Sequence, residues 1–247
     1  MSLILGIETS CDETAAAVVE DGSIVRSNIV SSQISKHAVF GGVVPELAAR
    51  EHLASIETVV DAALKEAGAM LSSLDAIAVT NGPGLAPALL IGLNFARSLA
   101  FSNSLPLIPV NHFIAHIYGS FLDGKTEMLG LKETYPLLAL VVSGGHTALL
   151  LVRPDSSSEI VGTTLDDASG EAFDKGAKIM GLGYPGGPAV QKMSRGGNIA
   201  KFAFPRALTG SAGKALSPED RFNFSFSWLK TSLLRHCQKF EIEMKDA

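Results

Sequence analysis

Cysteine is scarce: Cys11 and Cys237 are the only two among 247 residues. That is too few for a disulfide framework, so both read as reduced thiols of a cytoplasmic protein. No apolar run approaches the roughly 18–20 residues a membrane helix needs, which argues against a membrane role. The opening Met1-Ser2-Leu3-Ile4-Leu5-Gly6 has no basic leader and runs into acidic residues, unlike a secretory signal. Cations are thin as well. Residues 1–174 hold 8 Lys+Arg against 20 Asp+Glu, a local charge of −12. Residues 175–240 reverse this with 11 cations against Glu219 and Asp220, a local +9 inside a chain of net −5. Such a block neutralises phosphates locally, although ordinary solvated lysines would give the same count.

What is present is a compact, gently apolar chain with 47% hydrophobic residues and a mean hydropathy of +0.28. Its length suffices for two domains of about 120 residues each. Residues 3–9, 14–19 and 23–30 read as three antiparallel strands, with a tight polar turn at 10–13 and the hairpin turn Glu20-Asp21-Gly22. After the loop 41–45, a helix over 46–67 carries Leu53, Ile56, Val60 and Leu64 along one stripe. A strand over 74–80 leads through Asn81-Gly82-Pro83-Gly84 into an apolar helix over 86–100, a bend able to hold an anion on backbone N–H groups. Residues 105–110 return as a strand.

The opening pattern then recurs. Residues 137–142 read as a strand, Ser143-Gly144-Gly145-His146 as a tight turn, 147–152 as a return strand, Pro154-Asp155-Ser156 as a turn and 159–164 as a third strand. Two such sets predict a duplicated α/β architecture, with lobes at 1–134 and 135–247 facing each other across a cleft. Glycines in turns of this kind allow close approach and align amides toward phosphates. The arrangement resembles the two-lobed nucleotide-binding (ASKHA) fold of actin, Hsp70 and the sugar kinases. Further along, a helix ending near 181, a rigid loop at 184–188, a short helix over 189–195, an exposed Gly/Ser/Pro-rich loop over 196–218, a strand over 221–227 and a basic amphipathic helix from Trp228 complete the chain.

The most chemical stretch is Asn111-His112-Phe113-Ile114-Ala115-His116. Asn111 reads as a helix N-cap. Four residues are slightly more than one turn, so His112 and His116 share a face and can converge on one ion, although a packed histidine pair gives the same spacing. Phe113 stands where a metalloprotease carries its glutamate base, which counts against peptide hydrolysis. Two imidazoles leave a metal needing at least one more ligand, a carboxylate or the substrate.

Several motifs run in one order along nearly the whole chain: Gly6-Ile7-Glu8-Thr9-Ser10-Cys11-Asp12-Glu13-Thr14, Gly41-Gly42-Val43-Val44-Pro45-Glu46-Leu47-Ala48, Asn81-Gly82-Pro83-Gly84-Leu85, the two histidines, Ser143-Gly144-Gly145-His146-Thr147, Gly170-Glu171-Ala172-Phe173-Asp174-Lys175 and Tyr184-Pro185-Gly186-Gly187-Pro188. In this the chain resembles the tRNA N6-adenosine threonylcarbamoyltransferase family. The resemblance implies transfer of a threonylcarbamoyl group from threonylcarbamoyl-AMP to N6 of adenosine 37 in tRNAs reading ANN codons. It implies one divalent iron or zinc ion on His112 and His116, and binding of the adenylate (or ATP, ADP or AMP) by Val141, Val142, Ser143, Gly144 and Gly145. Asp174 and Gly187 would hold the nucleoside end, and Asp12 or Glu13 would accept the amine proton. Implied partners are tRNA and, in a bacterium, a non-catalytic TsaB-like paralogue and a TsaE-like P-loop ATPase. The family normally continues with a further strand and helix set, a Gly-Gly-x-x-x-Asn loop and a late Asp that completes the metal site. None of these lies within the 247 residues, so the second lobe is expected to be incomplete. The other readings are an ATPase or kinase of the same fold, or a non-catalytic scaffold.

Overall fold

The structure, a computed structural model, describes residues 2–122, 124–155, 157–208 and 217–245. The chain divides into two compact units, Met1–Leu131 and Lys132–Ala247.

The first unit opens with the meander β1 (Leu3–Glu8), β2 (Glu13–Glu20) and β3 (Ile24–Ser32). Asp21 and Gly22 take positive φ, 48° and 69°, in the three-residue link 21–23, where Ser23 N donates to the Glu20 carbonyl at 3.1 Å. The sheet continues with β4 (Ala76–Gly82) parallel to β1 and β5 (Leu107–Asn111) parallel to β4, in the order β3-β2-β1-β4-β5. Between the strands lie α1 (Ile34–Ala38), α2 (Pro45–Ala67) and α3 (Ala86–Ser102), and α4 (His112–Gly119) follows β5. Proline starts α2, where its missing N–H has no partner to lose, and Gly68 stops it in the left-handed conformation at φ 64°. Alternate residues of the central strands, Leu5, Ile7, Val18, Ile77 and Val79, pack with Ile56, Val60, Leu64, Ala96 and Ala100 in one hydrophobic core.

The expected stripe on α2 is corrected at one position. Leu53 is 68% exposed, and the buried face runs through Ala48, His52, Ile56, Val59 and Val60. An imidazole occupies that face because its ring nitrogens are satisfied there. Nδ1 lies 2.8 Å from Thr14 Oγ1, and Nε2 lies 3.0 Å from the Cys11 carbonyl. The short helix α1 was not expected. Its His37 is fully buried, with Nε2 3.0 Å from Gln33 Oε1 and Nδ1 accepting the Val44 N–H at 3.3 Å.

The second unit repeats the meander as β6 (Leu137–Val142), β7 (Thr147–Val152) and β8 (Ser158–Thr163) in the order β6-β7-β8. Helices α5 (Ser169–Ile179), α6 (Gly186–Ser194) and α7 (Ser227–Lys245) follow. Helix α6 starts three residues earlier than its sequence suggests, because Asp174 Oδ1 accepts the Gly186 N–H at 2.6 Å. The strand expected over 221–227 does not form. Only a single bridge joins Thr164 and Phe224. Side-chain carbonyl and carboxylate oxygens take backbone bonds instead: Asn223 Oδ1, within the alternating pattern, accepts from Thr163 N, and Asp166 Oδ1, from after β8, accepts from Phe226 N and Ser227 N. Of the expected turn and loop residues, Ser156 and 209–216 lie outside the described residues. Among the described residues no helix is long and apolar enough to cross a membrane.

Candidate functional site

The site in the first unit is built at the junction of β5 and α4. Asn111 is the last residue of the strand and the N-cap of the helix, its Oδ1 accepting from Phe113 N at 2.9 Å and Ile114 N at 3.2 Å. That cap fixes the first turn, and the helical spacing brings Nε2 of His112 and Nε2 of His116 to 3.1 Å. Two metal–nitrogen bonds of ~2.05 Å at a tetrahedral angle place their donors about 3.3 Å apart, so the pair fits one ion. Among the described residues no group of three or more His, Cys, Asp or Glu could hold a metal, so the histidines supply two donors.

Behind His112 stands a carboxylate that sequence reasoning missed. Glu8 ends β1, and its Oε2 lies 3.2 Å from His112 Nδ1. The same carboxylate accepts the Thr80 hydroxyl and the Ser10 amide, and Ser10 Oγ lies 3.3 Å from His112 Nδ1. Burial alone would raise the Glu8 carboxyl, but the hydrogen bonds from His112, Ser10 and Thr80 outweigh it and hold it down at about 2. Burial, and then the neighbouring His112, push His116 below the usual histidine value, which favours the neutral form that ligates. Glu8, Thr80, His112 and His116 line one cavity of about 710 Å³, floored by small residues of the sheet such as Gly6 and Ala78.

Asp12 and Glu13 are not among the residues lining that cavity. Glu13 is the exposed first residue of β2, and Asp12 sits in the preceding turn, its carbonyl accepting the Gln33 N–H at 3.0 Å. The turn is braced from behind by the His52 bond to Cys11, and burial with Asp12 alongside pushes the Cys11 thiol up to about 12. The glycine bend before α3 packs against the same turn. A Cβ on Gly84 would stand 2.7 Å from the Ser10 carbonyl, which instead accepts the Leu85 N–H at 2.8 Å.

In the second unit, the turn after β6 is closed by Ser143 N donating to His146 O at 2.8 Å and His146 N donating to Ser143 Oγ at 3.0 Å. Those bonds leave the amides of Gly144 and Gly145 outside the turn's own pairing. Val142 is exposed, whereas the Val141 side chain is buried, so Val141 has only backbone to present. Gly170 seats the start of α5 on this turn: a Cβ there would lie 2.5 Å from the Ser143 carbonyl. Asp174 and Gly187 are brought together through the Asp174 bond to Gly186.

The profile of the family described as TsaD, tRNA N6-adenosine threonylcarbamoyltransferase, matches residues 24–246. Among curated relatives of that name, the protein of Thermomicrobium roseum is 53% identical over 241 residues, covering 97% of this chain and 63% of its own length. That of Geotalea uraniireducens is 51% identical over 237 residues, covering 96% and 65%. The chain thus spans just under two thirds of the length of these relatives. Among solved structures, component A of (R)-2-hydroxyglutaryl-CoA dehydratase from Acidaminococcus fermentans superposes with a TM-score of 0.50 at 12% identity, over 97% of this chain and 69% of that one. The fold is the mixed α/β fold of the actin, Hsp70 and sugar-kinase group, and the chain belongs to the tRNA N6-adenosine threonylcarbamoyltransferase family.

Proposed function

We propose that the protein to which this chain belongs transfers a threonylcarbamoyl group from threonylcarbamoyl-AMP to N6 of adenosine 37 in tRNAs that read ANN codons. The observation that carries the reading is the pair of Nε2 atoms 3.1 Å apart on α4, in a chain about half identical to relatives of that name. In the reaction the exocyclic amine forms a bond to the carbamoyl carbon, the bond from that carbon to the AMP phosphate oxygen breaks, the amine loses a proton and AMP leaves. The amine is a weak nucleophile because its lone pair is delocalised into the ring. Orientation and charge stabilisation therefore carry much of the barrier.

His112 and His116 would hold one divalent ion, iron or zinc, which when bound supplies Lewis-acid polarisation of the acyl group. A further donor would come from the substrate or a carboxylate. The amides of Gly144 and Gly145, with Ser143 closing the turn and Val141 and Val142 leading into it, would bind the adenylate phosphate. Asp174 and Gly187 hold the ribose diol, and Asp12 or Glu13 takes the amine proton. The basic block over 175–240 receives tRNA phosphates. In a bacterium the working assembly includes a TsaB-like paralogue and a TsaE-like ATPase, in the cytoplasm.

Mass-spectrometric nucleoside analysis tests this directly. Depleting the protein is expected to remove threonylcarbamoyladenosine from tRNA, and re-expression to restore it, whereas H112A and H116A variants fail to restore it while remaining folded. Unchanged modification in depleted cells, or full rescue by both variants, overturns the assignment.

A further inference from the structure

We propose that Glu8 is the positioning residue of the histidine pair: its carboxylate sets His112 in the tautomer that can ligate, before any metal arrives. The inference rests on the metal reading above and concerns a residue that the reading leaves without a role.

The argument is one of donors and acceptors. An ionised carboxylate only accepts hydrogen bonds. Both Glu8 oxygens are engaged, Oε1 by the Ser10 amide and Oε2 by the Thr80 hydroxyl and by His112 Nδ1 at 3.2 Å. The proton between Glu8 and His112 therefore sits on Nδ1. A neutral imidazole carries one N–H, so His112 Nε2 presents a lone pair, and it points at His116 Nε2, 3.1 Å away. In the metal-free protein that contact is filled by a proton on His116 Nε2. The two ligands thus differ: His112 is preset, and His116 must move its proton to Nδ1 to ligate.

Glu8 spans the sheet to do this. It lies 104 residues from His112 and 72 from Thr80, so β1, β4 and the β5–α4 junction must all be in register for the contact to exist. Carboxylates in this position behind metal-bound histidines fix ring orientation and raise ligand basicity, and their loss typically weakens metal affinity 10–100-fold.

The test is E8Q, which keeps the shape and changes the donor pattern. The Ser10 amide cannot invert, so the Gln carbonyl must occupy the Oε1 place and the NH₂ must face His112. The nearer partner of His112 Nδ1 then becomes a donor, with the Ser10 hydroxyl left as a longer 3.3 Å contact, so the His112 proton is expected to move to Nε2, where it blocks ligation. Nitrogen-15 NMR of the imidazoles in the metal-free whole protein is expected to find His112 as Nδ1–H in wild type and Nε2–H in E8Q. Zn²⁺ titration by calorimetry is expected to give a Kd about 10–100-fold weaker for E8Q. An Nε2–H tautomer for His112 in wild type overturns the proposal without any variant, so a poorly folded E8Q does not shield it. A double H112A/H116A variant separates the two ideas. If it binds Zn²⁺ as wild type does, the metal reading fails. If it loses Zn²⁺ while E8Q binds within about twofold of wild type with His112 still Nδ1–H, the role of Glu8 fails.

Discussion

The two units begin with the same three-strand meander and end up very differently buried. In the first, β1 is flanked on both edges, antiparallel to β2 and parallel to β4, and Leu5 is fully buried. In the second, β6 pairs only with β7 among the described residues, and Leu138, Leu140 and Val142 are each more than half exposed. Among the described residues nineteen buried hydrophobic side chains lie in the first unit and six in the second, so most of the described core is carried by the first. An apolar strand sequence therefore fixes the strand but not its burial; the neighbours on its free edge and face decide that.

The sharpest way to break this comparison is to truncate matched leucines. In this 247-residue chain L5A is expected to lower stability by about 2–5 kcal/mol, and L140A by less than about 0.5, in denaturant melts. A cost above about 2 kcal/mol at Leu140 would mean that β6 is covered by something beyond the contacts described here. A middle-sized effect tests the two turns, each pressed by one glycine. G170A, whose Cβ would stand 2.5 Å from the Ser143 carbonyl, and G84A, whose Cβ would stand 2.7 Å from the Ser10 carbonyl, are each expected to cost about 1–3 kcal/mol. G145A meets nothing within 4 Å and is expected to cost under about 0.5. Equal costs for all three would sink the claim that these contacts seat the turns.

The smallest effect is a pH slope confined to the first unit. Burial pushes His52 below its ordinary value, so the folded protein keeps it neutral while the unfolded chain takes up a proton below pH ~6.5. Its contribution is fully present above that pH and is lost as the pH falls toward the lower folded value, at no more than ~1.4 kcal/mol per pH unit. Denaturant midpoints followed from pH 8 downward are expected to fall less steeply in H52Q than in wild type; parallel curves would reject the assignment.

Local chemistry made much of this legible. The meanders, the proline that opens α2, the glycine that closes it and the Asn111 cap all depend on neighbours in sequence, and the structure has them where the chain suggests. What escaped depends on distant partners. Leu53 lost its place on the buried stripe because His52 found Thr14 and the Cys11 carbonyl. Residues 221–227 alternate like a strand, yet Asp166 and Asn223 claimed the backbone groups that a ladder would have used. Glu8 reads as the polar end of an apolar strand until His112 arrives beside it from a hundred residues away.

Asn111 has one more consequence. The same residue finishes β5 and caps α4, so no linker separates the sheet from the first imidazole. Strand and helix share a joint without slack, and β5 is the outermost strand of its sheet. Whatever tugs on that outer rim moves His112 with it, which makes the rim a handle on the spacing of the two imidazoles.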